Sequence, residues 1–171
     1  MKARLKSIKG GKTDWSKYED IVIEILKDAF CPDVFSKPYD QVTSPAPSYQ
    51  RDIILPIVSD SGFWHYISIV YGGTLLVTEC KNYTKKITPG QVDSTVKYLR
   101  RPNVSNMGII FSRKGPNKAA FLTAIDIYRI DGKLLIFLDD TDLEELIDLK
   151  GKPDDATKYF REKYNLQKLK M

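Results

Sequence analysis

Thr74-Leu75-Leu76-Val77-Thr78-Glu79-Cys80-Lys81-Asn82-Tyr83 is apolar and β-branched until it stops on Glu79-x-Lys81. Such residues favour a pleated strand. Side chains two apart on a strand share a face. Glu79 and Lys81 therefore project side by side from the end of a buried strand, and Cys80 points to the opposite face as a buried thiol. Upstream, Arg51-Asp52-Ile53-Ile54-Leu55 opens a second apolar run on another acid. Asp60 is an alternative upstream acid, but it sits in the turn Ser59-Asp60-Ser61-Gly62, whereas Asp52 opens an apolar run. Two acids and a lysine brought to one strand end can hold a divalent cation beside a phosphate.

The rest of the composition narrows the chemistry. A chain of 171 residues is long enough for one domain with a real core. There is one histidine, His65, and two cysteines, Cys31 and Cys80. Zinc hydrolases with several histidine ligands are excluded, as is a disulfide scaffold. A nucleophilic triad would rest on His65 alone, within the strand-like Phe63-Trp64-His65-Tyr66-Ile67, with no nucleophile motif beside it. No apolar run reaches membrane-spanning length. The basic N-terminus has no apolar signal-peptide core, so the expected compartment is the cytoplasm.

The net charge of +5 is less telling than its distribution. Residues 1–17 hold six basic residues and one acid, and residues 150–171 hold seven and three. Residues 81–118 carry nine basic residues and a single acid, Asp93. Positive charge thus follows directly on the Glu79/Lys81 pair, where a polyanion would need it. Candidate nucleic-acid contacts are Lys85, Lys86, Lys97, Tyr98, Arg100, Arg101, Arg113 and Lys114. The plain alternative is a solvated charged face.

The periodicities predict a helix from residue 13 or 14 to 30, with Asp14 as N-cap and Cys31-Pro32 as the stop. A Pro- and Ser-containing loop covers 39–50. Strands are expected over 52–58, 63–71 and 74–81, with Ser59-Asp60-Ser61-Gly62 and Gly72-Gly73 as hairpin turns. Helices follow at 88–101 and 116–127, alternating with buried strands at 107–112 and 134–138. Two more helices are expected at 142–149 and 154–168. A meander followed by helical crossovers gives an α/β fold with a central mixed sheet and helices on both faces.

Two helices add candidates. With Val22 at the centre of the first helix face and about 100° per residue, Trp15, Tyr18, Ile25, Leu26 and Ala29 share an apolar side. Glu19 lies at its edge, where an acid needs a partner or a task. Asp20 and Glu24 point away. On the second helix Gln91, Ser94, Tyr98 and Arg101 form a polar face, which places Gln91 about ten residues after Lys81, within reach of the same pocket.

Glu19 in Tyr18-Glu19, then Asp52, then Glu79-x-Lys81, then Gln91 in a following helix resembles the PD-(D/E)XK phosphodiesterase superfamily, above all its Mrr-like restriction endonuclease branch. Gly108-Ile109-Ile110-Phe111-Ser112, Ala119-Ala120 and Leu135-Ile136-Phe137-Leu138-Asp139-Asp140-Thr141-Asp142-Leu143 are similar to the closing elements of Mrr-type domains. The similarity covers roughly residues 14–149, which leaves 1–13 as a basic N-terminal arm and 150–171 as a helical extension. Two departures stand out: Arg51 replaces the proline of the Pro-Asp motif, and the interval from Asp52 to Glu79 is long.

The resemblance implies a three-layer α/β/α restriction-endonuclease-like fold and a Mg²⁺-dependent DNA endonuclease, with Mn²⁺ as a substitute metal and defence against foreign DNA as a role. It implies that Asp52, Glu79 and the backbone carbonyl of Cys80 hold the metal. Lys81 would orient or deprotonate the attacking water, or neutralise phosphate charge. Glu19 would hold a second metal or orient the first set of ligands, and Gln91 would position Lys81 or the phosphate. Alternatives are a structure-selective nuclease resembling Holliday-junction resolvases, RNA as the polymer, and a catalytically idle nucleic-acid-binding module. The last helix, with Tyr159, Phe160, Tyr164, Leu166 and Leu169, packs on its own domain or mediates a homodimer or contact with a companion protein that supplies specificity.

Overall fold

The run that stops on Glu79 and Lys81 forms β2 (Leu75–Lys81), an inner strand between β1 (Ile53–Pro56) and β3 (Val104–Ser112), with β4 (Leu134–Leu138) beyond β3. The computed structural model describes residues 1–39, 53–100 and 104–171. β1 is antiparallel to β2, and β2, β3 and β4 run parallel to one another, which makes a four-stranded mixed sheet among the described residues. Parallel neighbours need long crossovers, usually helical. α4 (Pro89–Val96) with a 3₁₀ turn at Tyr98–Arg100 joins β2 to β3, and α5 (Lys118–Asp131) joins β3 to β4.

These crossovers cover one face, where Val92, Val96, Leu99, Ala120 and Ala124 bury Val77, Ile110, Leu135 and Phe137. The other face carries α2 (Trp15–Phe30), α6 (Asp140–Asp148) and α7 (Pro153–Lys168). Tyr18, Val22, Leu26, Leu143, Leu146 and Phe160 pack there in one core with Leu76, Ile109, Phe111 and Ile136. All of β4 is buried, as a parallel strand covered on both faces requires. α5 closes on Gly132 in the left-handed conformation, and α6 opens with a capping box between Asp139 and Asp142.

One expected strand is a helix. Residues 62–70 form α3 (Gly62–Val70), so β1 and β2 are joined through a helix and not through a meander, and His65 is a helical residue. β-branched and aromatic residues favour strand there, but tertiary packing overrides the preference. The positions that must be buried are Trp64, Ile67 and Tyr71, at 2%, 0% and 3% exposure, three and four residues apart. Trp64 packs against Phe30, Phe35 and Phe160 with ring centroids 5.7, 4.7 and 4.7 Å away. Gly72-Gly73 is the helix stop, not a hairpin turn. Gly73 N–H donates to the Ser68 carbonyl at 2.9 Å and Gly72 N–H to Ile69 at 3.3 Å. Gly72 has φ of +69°, which completes a Schellman motif.

Both chain ends join this core. Residues 2–7 form α1 (Lys2–Ser7), and Leu5 and Ile8 are buried beside α2, so the basic arm is packed over part of its length. On α7, Ala156, Phe160 and Tyr164 face inward, while Leu166 and Leu169 are exposed. The last helix therefore spends its aromatic side on its own domain. No helix of the described residues is long and apolar enough to cross a membrane.

Candidate active site

Glu79 and Lys81 leave the C-terminal end of β2 together, as the two-residue strand period requires. Lys81 Nζ lies 2.5 Å from Glu79 Oε1, with side chains only 17% and 9% exposed. The second carboxylate oxygen, Oε2, is buried and has no hydrogen-bond partner among the described residues. Ser112, opposite Lys81 in the β2–β3 ladder, is also buried with an unpartnered hydroxyl. Burial alone would lower the Lys81 pKa, but the Glu79 carboxylate more than offsets it and holds the ammonium above its ordinary value, with Tyr83 and Tyr98 contributing in the same direction. Burial pushes the Cys80 thiol well up, and the carboxylates of Glu19 and Glu79 add to that shift.

A cavity of about 280 Å³ opens on this pair. It is lined by Glu19, Glu79, Cys80 and Lys81 together with Gly11, Lys12, Trp15, Asn82 and Tyr83, of which Trp15 and Tyr83 are the exposed ring-bearing ones. Glu19 is buried on α2, and it is the helix residue that the apolar face was expected to carry toward the strand end. Glu24 points elsewhere and pairs with Arg4 at 2.6 Å on the surface.

Part of this lining comes from a segment that the sequence did not connect to the site. Asn82 Nδ2 donates to the carbonyls of Lys9 and Gly11 at 2.9 and 3.0 Å, and Gly11 N–H returns a bond to the Asn82 carbonyl at 2.6 Å. Gly11 has φ of +122°, a conformation that side chains other than hydrogen disfavour. The N-terminal segment thus crosses the end of β2 and places Lys12 over the cavity. Asp14 stands at the N-cap position of α2, but its carboxylate accepts from Lys9 N–H at 3.1 Å and Lys17 at 2.8 Å in place of capping the helix.

The other expected residues divide. Tyr98 is half-buried and close enough to Lys81 to influence it. Gln91 does not line the cavity; its Oε1 accepts from Thr88 N–H and Oγ at 2.8 and 2.6 Å in a capping box. Asp60 follows β1 at the end where Pro56 pairs with Leu75, roughly 13 Å along the strand from Glu79. Asp60 is exposed there, and that removes it as a partner of Glu79. Asp52 and Arg101 lie outside the described residues, as does most of the 39–50 loop. The residue after Asp52, Ile53, pairs with Thr78, immediately before Glu79.

Lys85, Lys86, Lys97, Arg100 and Lys114 are exposed, with Arg100 3.3 Å from Asp131. Arg113 is different. Its Nε lies 2.7 Å from Asp140 and its Nη1 donates to the Ile8 carbonyl at 3.0 Å, with its guanidinium 5.2 Å from the Tyr18 ring centre. The Tyr18 hydroxyl donates to the same Asp140 at 3.0 Å. Burial dominates at Asp140 and raises its carboxyl above the usual range despite Arg113. Arg113 therefore binds α1, α2 and α6 together, and its charge is already committed.

The donor set suits a hard divalent cation. Oxygen ligands are what Mg²⁺ takes, and Glu79 offers a buried one, unpartnered among the described residues, in a cavity that Glu19 also lines. Among the described residues no group of three or more His, Cys, Asp or Glu side chains gathers at one point. Comparison with protein-family models, with curated proteins and with solved structures finds no match.

Proposed function

We propose that this chain is a Mg²⁺-dependent endodeoxyribonuclease of the Mrr-like PD-(D/E)XK type, with a three-layer restriction-endonuclease-like fold and a cytoplasmic role against foreign DNA. One observation carries the reading: a buried carboxylate has one oxygen on Lys81 and the other without a partner among the described residues, at a strand end that opens into a cavity. A purely structural ion pair would have no reason to leave a buried oxygen unsatisfied, because that costs about 1–3 kcal/mol or more.

Glu79, Asp52 and the Cys80 carbonyl would hold the cation. When bound, it supplies a water of lowered pKa and positive charge beside the scissile phosphate. Glu79 also fixes the position of Lys81. Its charge keeps Lys81 protonated in the metal-free protein, which suits Lys81 to neutralising phosphate oxygens and orienting the attacking water. Glu19 lines the same cavity and orients the ligands or their water. Lys12 brings positive charge to the cavity, and the exposed Lys85 and Lys86, a few residues beyond Lys81, offer charge to flanking phosphates.

The test is incubation with supercoiled plasmid, linear duplex and single strands, in Mg²⁺, Mn²⁺ or EDTA. Cleavage should need the metal and vanish in Glu79→Ala and in Lys81→Ala. Cleavage that persists in excess EDTA, or that is undiminished in Lys81→Ala, would overturn the proposal.

A further inference from the structure

Ser112 ends β3 on a hydroxyl that nothing described so far uses. The residue is 2% exposed, and its Oγ has no hydrogen-bond partner among the described residues. An unpaired hydroxyl in the interior costs stability, and alanine would fill nearly the same space without that cost. The register says what stands next to it. Lys81 pairs with Ser112, and Glu79 with Ile110, across the parallel β2–β3 ladder. Paired residues of neighbouring strands lie about 4.8 Å apart and project to the same face. It is the face on which α4 and α5 cover Val77 and Ile110. Glu79, Lys81 and Ser112 therefore share it, with Glu79 two residues before Lys81 on one strand and Ser112 beside Lys81 on the next.

In this arrangement Lys81 Nζ sits on Glu79 Oε1. An ammonium held on a carboxylate has its charge neutralised, which leaves less of it for a phosphate. A hydroxyl can accept from the same ammonium without neutralising it. The lysine stem is flexible and four carbons long, enough to turn from its own strand toward the adjacent one.

We propose that Ser112 is a positioning residue for Lys81: once Glu79 is engaged by a cation, the Lys81 ammonium turns to Ser112 Oγ, a neutral acceptor that holds it in place and leaves its charge for the phosphate. This rests on the nuclease reading of the same cavity.

Thermal melts in EDTA test the contact without catalysis. In the wild-type background Ser112→Ala should leave Tm unchanged or raise it by roughly 2–4 °C, because the hydroxyl it removes is unpaired. In the Glu79→Ala background Lys81 has lost its carboxylate and takes Ser112, so the same change should lower Tm by roughly 2–4 °C. Glu79→Gln replaces Glu79→Ala if that variant does not fold, with the same reversal of sign. Adding Lys81→Met should abolish the reversal, which ties it to the ammonium and not to packing around Ser112. In steady-state cleavage with Mg²⁺, Ser112→Ala should lower kcat by roughly ten- to a hundredfold with KM little changed, although its fold is no less stable. Shifts of the same sign in both backgrounds, a reversal that persists without Lys81, or an undiminished kcat would overturn the inference. Metal-dependent cleavage with no reversal would sink only this inference, and a reversal in a chain that cleaves nothing would sink the nuclease reading and leave the Ser112–Lys81 contact standing.

Discussion

Removing the Lys81 ammonium should leave a buried carboxylate with neither oxygen paired. Glu79 is 7% exposed, and its one described partner is Lys81. Taking one member from a buried pair costs about 3–5 kcal/mol. The pair borders an open cavity and water can approach it, so Lys81→Met should fall at the lower end, about 3 kcal/mol. In a chain of this length that is a loss of roughly 6–12 °C in Tm. Glu79→Gln/Lys81→Met removes both charges and should recover most of the loss. Because Glu79 raises the Lys81 pKa, the contribution of the pair is fully present below the ordinary lysine value of about 10.4 and fades as pH rises through the folded one. The advantage of the wild type over Lys81→Met should therefore shrink in strong alkali and not in mild acid. Metal sharpens the test. A cation held by Glu79 supplies the missing countercharge, so Mg²⁺ should raise the Tm of Lys81→Met more than that of the double variant, and EDTA should reverse it. Circular dichroism melts in Mg²⁺ and in EDTA read all of this. A Lys81→Met melt within about 2 °C of wild type, corresponding to less than about 1 kcal/mol, would refute the reasoning, as would identical Mg²⁺ shifts in the single and double variants.

Glu19→Gln should cut nuclease activity by roughly ten- to a hundredfold, as for a residue that orients metal ligands, while Glu24→Gln, on a surface pair with Arg4, should change stability by under about 0.5 kcal/mol and leave activity alone; equal effects in a plasmid assay would place Glu19 outside the site. Reversing the charge of Lys85, Lys86 and Lys97 should weaken DNA binding across all sequences and lower the slope of log K against log salt by roughly 3, and an unchanged slope would make this a solvated face. Arg113→Ala should act on the fold instead, losing about 3 kcal/mol through the stranded Asp140, which a thermal melt distinguishes from a binding defect. Cutting two strands needs two sites, so a homodimer is expected in light scattering, and a monomer unchanged by DNA at tens of micromolar would contradict it.

The parts of the fold that were legible in the sequence are those fixed by local pattern. Leu134–Leu138 is a continuous apolar run, and only a strand buried on both faces satisfies that composition. Glu19 could be assigned to the helix edge because helical rotation is the same in every helix. Residues 63–70 were misleading because six of the eight are aromatic or β-branched and suit a strand, and the deciding fact is the aromatic pocket made by Phe30, Phe35 and Phe160, which lies far away in the chain. The same remoteness concealed part of the cavity lining. Asn82 reaches Lys9 across 73 positions, and Arg113 reaches Ile8 across 105. Spacing within a motif carries no trace of such contacts. Glu79 and Lys81 were visible because strand period alone brings them together, whereas Trp15 and Tyr83 meet at the cavity only after the N-terminal segment has crossed the strand end. The Glu79–Lys81 pair could thus be read from the motif, while the remainder of the cavity lining depends on the tertiary fold.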